Sequence, residues 1–243
     1  MKANGLILVV VGFAALVCSG CHSSPGRPGP EVVRPSQITD SKLLFADNCA
    51  GCHGTEGKGG AALALNDPVY LAIADDTTIR RVAANGVPGT PMPAFAKSAG
   101  GLLTDQQIDA IVSGIRSWAS PDALQGATPP AYAAQIGDPQ RGIGVYATYC
   151  SDCHGPDDKG SKKASSIVNG SFLALVSDQH LRTIVIVGRP ELGAPDWRGD
   201  APGRHLSSQE ISDVVAWIAA QRPQFPGQPY ANLSPDGTKG EKQ

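Results

Sequence analysis

The feature that most constrains this chain is a Cys-x-x-Cys-His motif that occurs twice. The first copy is Cys49-Ala50-Gly51-Cys52-His53 and the second is Cys150-Ser151-Asp152-Cys153-His154. An aromatic residue, Phe45 or Tyr146, stands four residues before the first cysteine of each copy, about one helical turn back. The surrounding residues also correspond, so the chain contains two copies of one structural unit, and its fold has to place the motif twice.

Two thiols at this spacing, followed directly by a histidine, are a specific signal for c-type haem attachment. The thiols form thioethers with the two vinyl groups of haem, and the histidine becomes the proximal iron ligand. A zinc site or a redox-active pair would explain a single Cys-x-x-Cys. However, neither repeat contains another cysteine, and the first contains no other histidine. The sequence therefore predicts two covalently bound haem c groups, held by Cys49, Cys52, Cys150 and Cys153, with His53 and His154 on the irons.

The repeat continues well beyond the motifs and predicts helices. A run of matching residues follows without a gap, namely Gly86, Pro88, Pro93 and Phe95 against Gly188, Pro190, Pro195 and Trp197. Each repeat then closes with apolar residues at helical spacing, preceded by the capping-box pattern of a hydroxyl residue and, three positions later, Gln107 or Glu210. Because neither repeat shows strand alternation, we expect an all-α fold.

The N-terminus predicts export. An apolar run from Leu6 to Val17 follows Lys2 and ends in Cys18-Ser19-Gly20-Cys21, which resembles the cleavage site of a bacterial lipoprotein. We expect lipidation of Cys21 and a location on the periplasmic or outer face of a bacterial membrane. An ordinary signal peptide or an uncleaved anchor would also export the chain.

Pro-rich stretches divide the remaining chain. The linker between the two domains is expected to leave their relative placement open. The predicted segments are a signal peptide (1–20), a tether (21–37), a first domain (38–120), a Pro-rich linker (121–138), a second domain (139–222) and a polar tail (223–243).

The sixth iron ligand distinguishes the two repeats. Met92 lies between two prolines downstream of the first motif, and it is the only methionine besides the initiator, so it is the predicted distal ligand of the first haem. The second repeat has Ala194 at this position, and alanine cannot ligate iron. Three alternatives remain: His205 before the closing helix, His180 near the start of the preceding helix, or an open or water-bound iron. His205 joins the predicted ligands, and His180 is interpreted as an exposed helix-start residue.

Charge and composition narrow the possible partners. The formal net charge of -2 does not indicate the basic face that nucleic-acid binding needs. Aromatic residues make up only 5% of the chain, so a bound cofactor would supply apolar bulk that the protein lacks. Arg80 and Arg182 occupy equal positions in the repeat. They are expected either to approach haem propionates or to lie on an exposed helix face.

Both repeats resemble the mono-haem class I cytochrome c domain, in the small bacterial type found in oxidase-associated cytochrome subunits. The resemblance is carried by Cys49–His53 with Met92 in the first repeat and by Cys150–His154 in the second. The resemblance covers residues 38–120 and 139–222, and it implies two tandem all-α domains joined by the Pro-rich linker. In this family the first and last helices cross at the haem edge. The implied aromatic contacts at the crossings are Phe45 with Trp118 and Tyr146 with Trp217.

The resemblance implies a membrane-anchored di-haem electron carrier of a respiratory chain, or an oxidoreductase subunit, rather than a stand-alone enzyme. Its partners would be a quinol-oxidising complex as donor and a terminal oxidase or soluble cytochrome as acceptor. His/Met ligation predicts a higher potential for the first haem, so electrons would pass from the second haem to the first. The alternatives are a haem enzyme or ligand-binding protein that uses an open site on the second haem, and a sensor or accessory subunit.

Overall fold

The computed structural model describes residues 32–120, 122, 124–156, 158–199 and 204–223. Within these ranges the chain forms ten α-helices and isolated β-bridges but no β-strand, which confirms the predicted all-α fold. The described residues from Thr39 onward form one compact unit. None of the helices in these ranges combines the length and apolar character that a membrane crossing requires. The predicted signal peptide, Cys21 and the tail beyond residue 223 lie outside the described residues.

The two domains repeat one order of helices. The first contains α1 (Ser41–Asn48), α2 (Ala50–His53), α3 (Pro68–Ile73), α4 (Asp76–Asn85) and α5 (Asp105–Arg116). The second contains α6 (Pro139–Tyr149), α7 (Ser151–His154), α8 (Gly170–Leu173), α9 (Asp178–Val187) and α10 (Ser208–Ala219). Short 3-10 helices lie at Pro35–Gln37, Lys97–Ala99 and Pro190–Leu192.

Both closing helices begin where the sequence predicts. The hydroxyl of Thr104 accepts a hydrogen bond from the Gln107 backbone N–H at 3.2 Å, and the Gln107 side chain accepts one from the Thr104 N–H at 3.0 Å. Ser207 and Glu210 make the same reciprocal pair. These capping boxes satisfy N–H groups that a helix start leaves unpaired. The apolar positions that follow are buried, in α5 as Ile108, Ile111, Val112 and Ile115, and in α10 as Ile211, Val214, Val215 and Ile218.

The first and last helices of each domain cross at close range because one of them carries a glycine there. A Cβ on Gly142 of α6 would lie 2.2 Å from the Asp213 carbonyl oxygen of α10. In the first domain the glycine is on the other helix, and a Cβ on Gly114 of α5 would lie 2.8 Å from the Ser41 Cβ of α1. A larger side chain at either glycine would push the two helices apart.

The aromatic contacts implied by the family resemblance lie at these crossings. Phe45 and Trp118 meet edge to face, with ring centroids 5.2 Å apart and planes at 89°. Tyr146 and Trp217 lie 4.5 Å apart at 39°. Both predicted contacts are therefore confirmed. They lie at different places along the closing helices, because Trp217 is ten residues after its cap at position 207, whereas Trp118 is fourteen residues after its cap at position 104. The tryptophan of the second crossing is thus one helical turn nearer the cap.

The Pro-rich linker is bound to the second domain. The guanidinium of Arg182, a residue of α9 that is 5% exposed, donates to the Ala131 carbonyl at 2.9 Å. It also donates to the hydroxyls of Ser208 at 2.8 Å and Ser212 at 3.1 Å, both on α10. Arg182 therefore joins the linker to two helices.

Tyr132, the next linker residue, connects the two domains. Its carbonyl accepts a hydrogen bond from Gln179 of α9 at 2.7 Å. Its hydroxyl interacts with Thr183 of α9 and with Arg81 of α4, while burial raises its pKa. In addition, α3 packs against α9. The expectation that the linker leaves the domain placement open is therefore wrong, because its Ala131–Tyr132 segment is tied to both sides.

Arg80, the counterpart of Arg182 in the repeat, has a different role. It donates to Asp109 at 2.6 Å and to Asp105 at 3.1 Å, and both carboxylates are on the exposed surface of α5. Arg80 was expected either to approach a haem propionate or to lie on an exposed helix face, and it lies on an exposed helix face. Arg182 lies on a buried face against the linker.

These two arginines make a matched pair of substitutions. We expect Arg182→Met to lower the free energy of unfolding by about 2 kcal/mol, because it removes a buried guanidinium and leaves the Ala131 carbonyl and two serine hydroxyls without their charged donor. Arg80→Met should change stability little, because exposed ion pairs contribute little in water. Denaturant unfolding of the two haem-loaded variants measures both changes. Equal losses in the two variants would contradict the assigned role of Arg182.

Candidate haem-binding sites

Each Cys-x-x-Cys-His motif starts where the first helix of its domain ends. Cys49 caps α1 through a hydrogen bond from its N–H to the Phe45 carbonyl at 2.8 Å, and Cys150 caps α6 in the same way through Tyr146 at 2.9 Å. Both cysteines have φ of -119°, with ψ of -35° and -32°. The remaining motif residues form the short helices α2 and α7. The two copies of the motif therefore have the same local backbone geometry.

The two motif histidines are oriented by the same kind of hydrogen bond. Nδ1 of His53 lies 2.8 Å from the Leu63 carbonyl oxygen, and Nδ1 of His154 lies 2.6 Å from the Ser165 carbonyl oxygen. A carbonyl can only accept, so Nδ1 carries the proton in each ring and Nε2 keeps its lone pair. Such an outer hydrogen bond fixes both the tautomer and the direction of a metal-binding histidine.

The four motif cysteines are free thiols. Burial, and then the neighbouring Cys52, raises the pKa of Cys49 to about 11. Burial and Cys153 do the same for Cys150. Burial also lowers the pKa of His53, against a smaller opposing effect of its bond to Leu63, and this favours the neutral ring that binds metal. Two adjacent thiols beside a neutral, oriented imidazole are the donor set that haem c requires, so the residues fit this cofactor.

The turn after each motif holds the second cysteine in place. In the first domain the chain passes so close that a Cβ on Gly60 would lie 2.1 Å from the Cys52 carbonyl oxygen. In the second domain Ser161 stands at that place, and its hydroxyl donates to the Cys153 carbonyl at 2.5 Å. The buried hydroxyl of Tyr146 also donates to the Gly155 carbonyl at 2.6 Å. The sequence reasoning missed this last bond, although tyrosine in place of Phe45 was a visible signal.

The loops that carry Met92 and Ala194 share a backbone hydrogen bond and a preceding glycine. The carbonyl of Met92 accepts a hydrogen bond from the Val87 N–H at 3.0 Å, and that of Ala194 accepts one from the Arg189 N–H at 2.9 Å. The glycine before each donor, Gly86 or Gly188, has a φ of 66° or 73°. These values are in the left-handed region, which glycine adopts without strain. Ala194 is therefore the structural counterpart of Met92, as the gapless alignment suggests.

His205, the predicted sixth ligand of the second haem, has an exposed side chain. Its ring centroid lies 6.4 Å from that of Trp197, and the rings meet edge to face. No measured contact places it at the iron, so its role as ligand stays a prediction. His180 is half-buried, which corrects its interpretation as an exposed residue. Burial lowers the pKa of His180, with smaller contributions from His53 and Arg189.

Two further arginines, which the sequence reasoning missed, hold the helices beside the motifs. Arg116 at the end of α5 donates to the Leu71 and Ala74 carbonyls at 2.5 and 2.6 Å, where α3 ends. In the second domain Arg222 donates to the Leu173 and Val176 carbonyls at 3.2 and 2.9 Å, where α8 ends. Each also pairs with the aspartate that starts the next helix. The two arginines do not align in the repeat, so no sequence signal links them.

Two small all-α domains in tandem, each with crossing terminal helices and a Cys-x-x-Cys-His turn, define a c-type cytochrome of class I architecture. The family model described as cytochrome c oxidase, cbb3-type, subunit III matches residues 36–113 and 137–218. The chain belongs to this family, which binds haem c covalently and uses it in electron transfer.

The remaining comparisons are more distant. A solved structure, the reducing HAO-like protein complex of Kuenenia stuttgartiensis, matches with 18% sequence identity and a TM-score of 0.41. The match covers 81% of this chain and 100% of the other. A search of curated proteins found no significant match.

The tight turn after the first motif can be tested with a glycine pair. Gly60→Ala should displace the Cys52 backbone, because its Cβ would lie 2.1 Å from the Cys52 carbonyl oxygen. We therefore expect incomplete haem attachment at the first motif. Gly51→Ala has open space around the new Cβ and should retain normal loading. Intact-protein mass spectrometry counts the attached haems. Full loading of Gly60→Ala would contradict the proposed constraint.

Proposed function

We propose that this chain carries two haem c groups and transfers electrons at the outer face of a bacterial membrane to which it is lipid-anchored. The observation that carries the proposal is the repeated donor set. In each domain two cysteine thiols precede a histidine whose Nδ1 bonds to a backbone carbonyl, at 2.8 Å for His53 and 2.6 Å for His154. Family membership independently supports haem-based electron transfer.

The proposed roles of the residues follow from their chemistry. Cys49 and Cys52 hold the first haem and Cys150 and Cys153 hold the second, while the motif histidines supply the proximal nitrogen. Bound haem supplies a one-electron iron couple. Met92 is the proposed distal ligand in the first domain, where a thioether raises the potential relative to a second imidazole. Covalent attachment retains the cofactor in domains of a size that buries little surface alone.

The anchoring part of the proposal is supported by the N-terminal sequence. An apolar run ends at Cys21, and the Pro-rich residues 22–37 follow as an extended spacer. In this proposal the chain is exported and haem is attached to both motifs outside the cytoplasm. Membrane fractionation of cells that express the wild type and Cys21→Ala tests the anchor. We expect Cys21→Ala to leave the membrane fraction, and its retention there would contradict lipidation as the means of attachment.

The proposed partners are a quinol-oxidising complex as donor and a terminal oxidase or soluble cytochrome as acceptor. A shuttle between them needs contacts that are small and short-lived, as redox encounters generally are. Membranes that contain both complexes should reduce the purified protein and then reoxidise it within the turnover time of the chain. If the protein exchanges electrons with neither complex, the respiratory part of the proposal fails, while haem-based electron transfer remains.

Substitution of Met92 tests its role as ligand. Met92→His should lower the potential of one of two redox couples, on the order of 0.1 V, because axial ligands set haem potentials over roughly 0.8 V and methionine raises them. Spectroelectrochemical titration measures both couples. Ala194→Gly changes the equivalent position of the second domain and should leave the Met92-linked couple unchanged. If Met92→His shifts neither couple, Met92 is not a ligand.

A further inference from the structure

We infer that the iron held by His154 receives no sixth ligand from this chain and that its Ala194 side binds small external ligands, such as carbon monoxide on ferrous iron and cyanide or imidazole on ferric iron. The inference rests on haem attachment in the second domain, which belongs to the proposed function. It concerns what this chain's own residues offer on the side of the haem opposite His154.

The first step is the backbone equivalence of the two distal loops. The Ala194 carbonyl accepts the Arg189 N–H at 2.9 Å, as the Met92 carbonyl accepts the Val87 N–H at 3.0 Å. At the end of both loops the backbone pairs with the preceding helix, but in a different register. Phe95 donates to the Ala83 carbonyl at 3.2 Å, whereas its counterpart Trp197 donates at 3.0 Å to the carbonyl of Ile186, the counterpart of Ala84. The hydrogen bonds at Met92 and Ala194 themselves correspond, so the register difference lies beyond Ala194. A methyl group stands where the first domain presents a thioether.

The second step concerns His205. Its neighbour Leu206 is 9% exposed and donates its N–H to the Trp197 carbonyl at 2.9 Å. The equivalent Leu103 donates to the Phe95 carbonyl at 2.8 Å, and the residue before it, Leu102, is 85% exposed. Successive side chains of an extended segment point to opposite sides. With Leu206 in the core, His205 points outward as Leu102 does, and ligation would require this backbone pairing to break.

The third step concerns His180. Its N–H bonds to the Ser177 hydroxyl at 3.1 Å, which fixes it in the first turn of α9, the helix that packs against α3 of the first domain. The His180 backbone is therefore held on the helix that contacts the first domain. The second domain contains no methionine that could take its place.

The surroundings of Ala194 favour ligand binding over acid–base catalysis. Ala194 is half-exposed and the adjacent Leu192 is 72% exposed, so small molecules can approach. The nearest carboxylate in sequence, Asp196, is already held by Arg198 through contacts of 3.0 and 2.5 Å. Arg198 in turn lies over the buried Trp197 ring at 5.0 Å. Both oxygens of this carboxylate are therefore already occupied by Arg198, through its backbone N–H and its guanidinium.

The experiment is carbon monoxide titration of the reduced, haem-loaded protein, together with EPR of the ferric protein. The haem count is measured first by mass spectrometry. For the wild type we expect one of the two haems to bind carbon monoxide, and one high-spin and one low-spin ferric signal. Ala194→Met should abolish carbon monoxide binding and convert the high-spin signal to low spin. Met92→Ala should allow both haems to bind, and His205→Ala should behave as the wild type.

Each other outcome has a defined meaning. Two low-spin signals and no carbon monoxide binding in the wild type would overturn the inference. If His205→Ala then gained binding, His205 would be the ligand, and if it did not, another side chain would be. A protein that carries a single haem would instead contradict the proposed function, because haem attachment at one of the two motifs would have failed. The two failures are therefore distinguishable.

Discussion

The close passage of the first helix over the last is the contact on which the rest of each domain depends. The first cysteine of each motif caps the first helix, so a shift at the crossing moves the cysteine pair and the histidine with it. Gly114 and Gly142 allow this approach. In the second domain the crossing also contains Asp213, which is 2% exposed and bound by Arg141 at 2.7 and 2.9 Å. Arg141 lowers the pKa of Asp213 to about 2, so the carboxylate stays charged inside the contact.

The two domains reach the same geometry through different residues. The tryptophan of the second crossing lies one turn nearer the start of its closing helix, and the glycine has moved to the opposite helix. Arg116 and Arg222 hold the corresponding carbonyl groups from unaligned positions. The two domains thus have the same helix crossing and the same arginine-to-carbonyl contacts, although residues at different repeat positions make them. Where chemistry fixes the residue, as in the two motifs, the positions correspond without exception.

Much of this architecture is predictable because it is local. A capping box links residues three apart, and the motif spans five positions, so their geometry is visible in the sequence. The exchange of the crossing glycine between the two helices could not be predicted, because apolar residues at helical spacing define a face but not the point along it where another helix crosses. The role of Arg182 depends on a carbonyl 51 positions earlier, at Ala131. Its counterpart Arg80 has the same local pattern, which is why the sequence left both arginines with the same two alternatives.

The attachment of Ala131 and Tyr132 to α9 also defines what can be exchanged between related proteins. A division at the start of α6 would separate the second domain from the linker carbonyls that its buried Arg182 and Gln179 bind. A transplanted second domain would then lose one acceptor of each of these two side chains, although every helix of the domain was present. The unit that can be exchanged therefore begins near residue 131, in a segment that belongs to no helix. The earlier part of the Pro-rich stretch connects the two domains, and its later part belongs to the structure of the second.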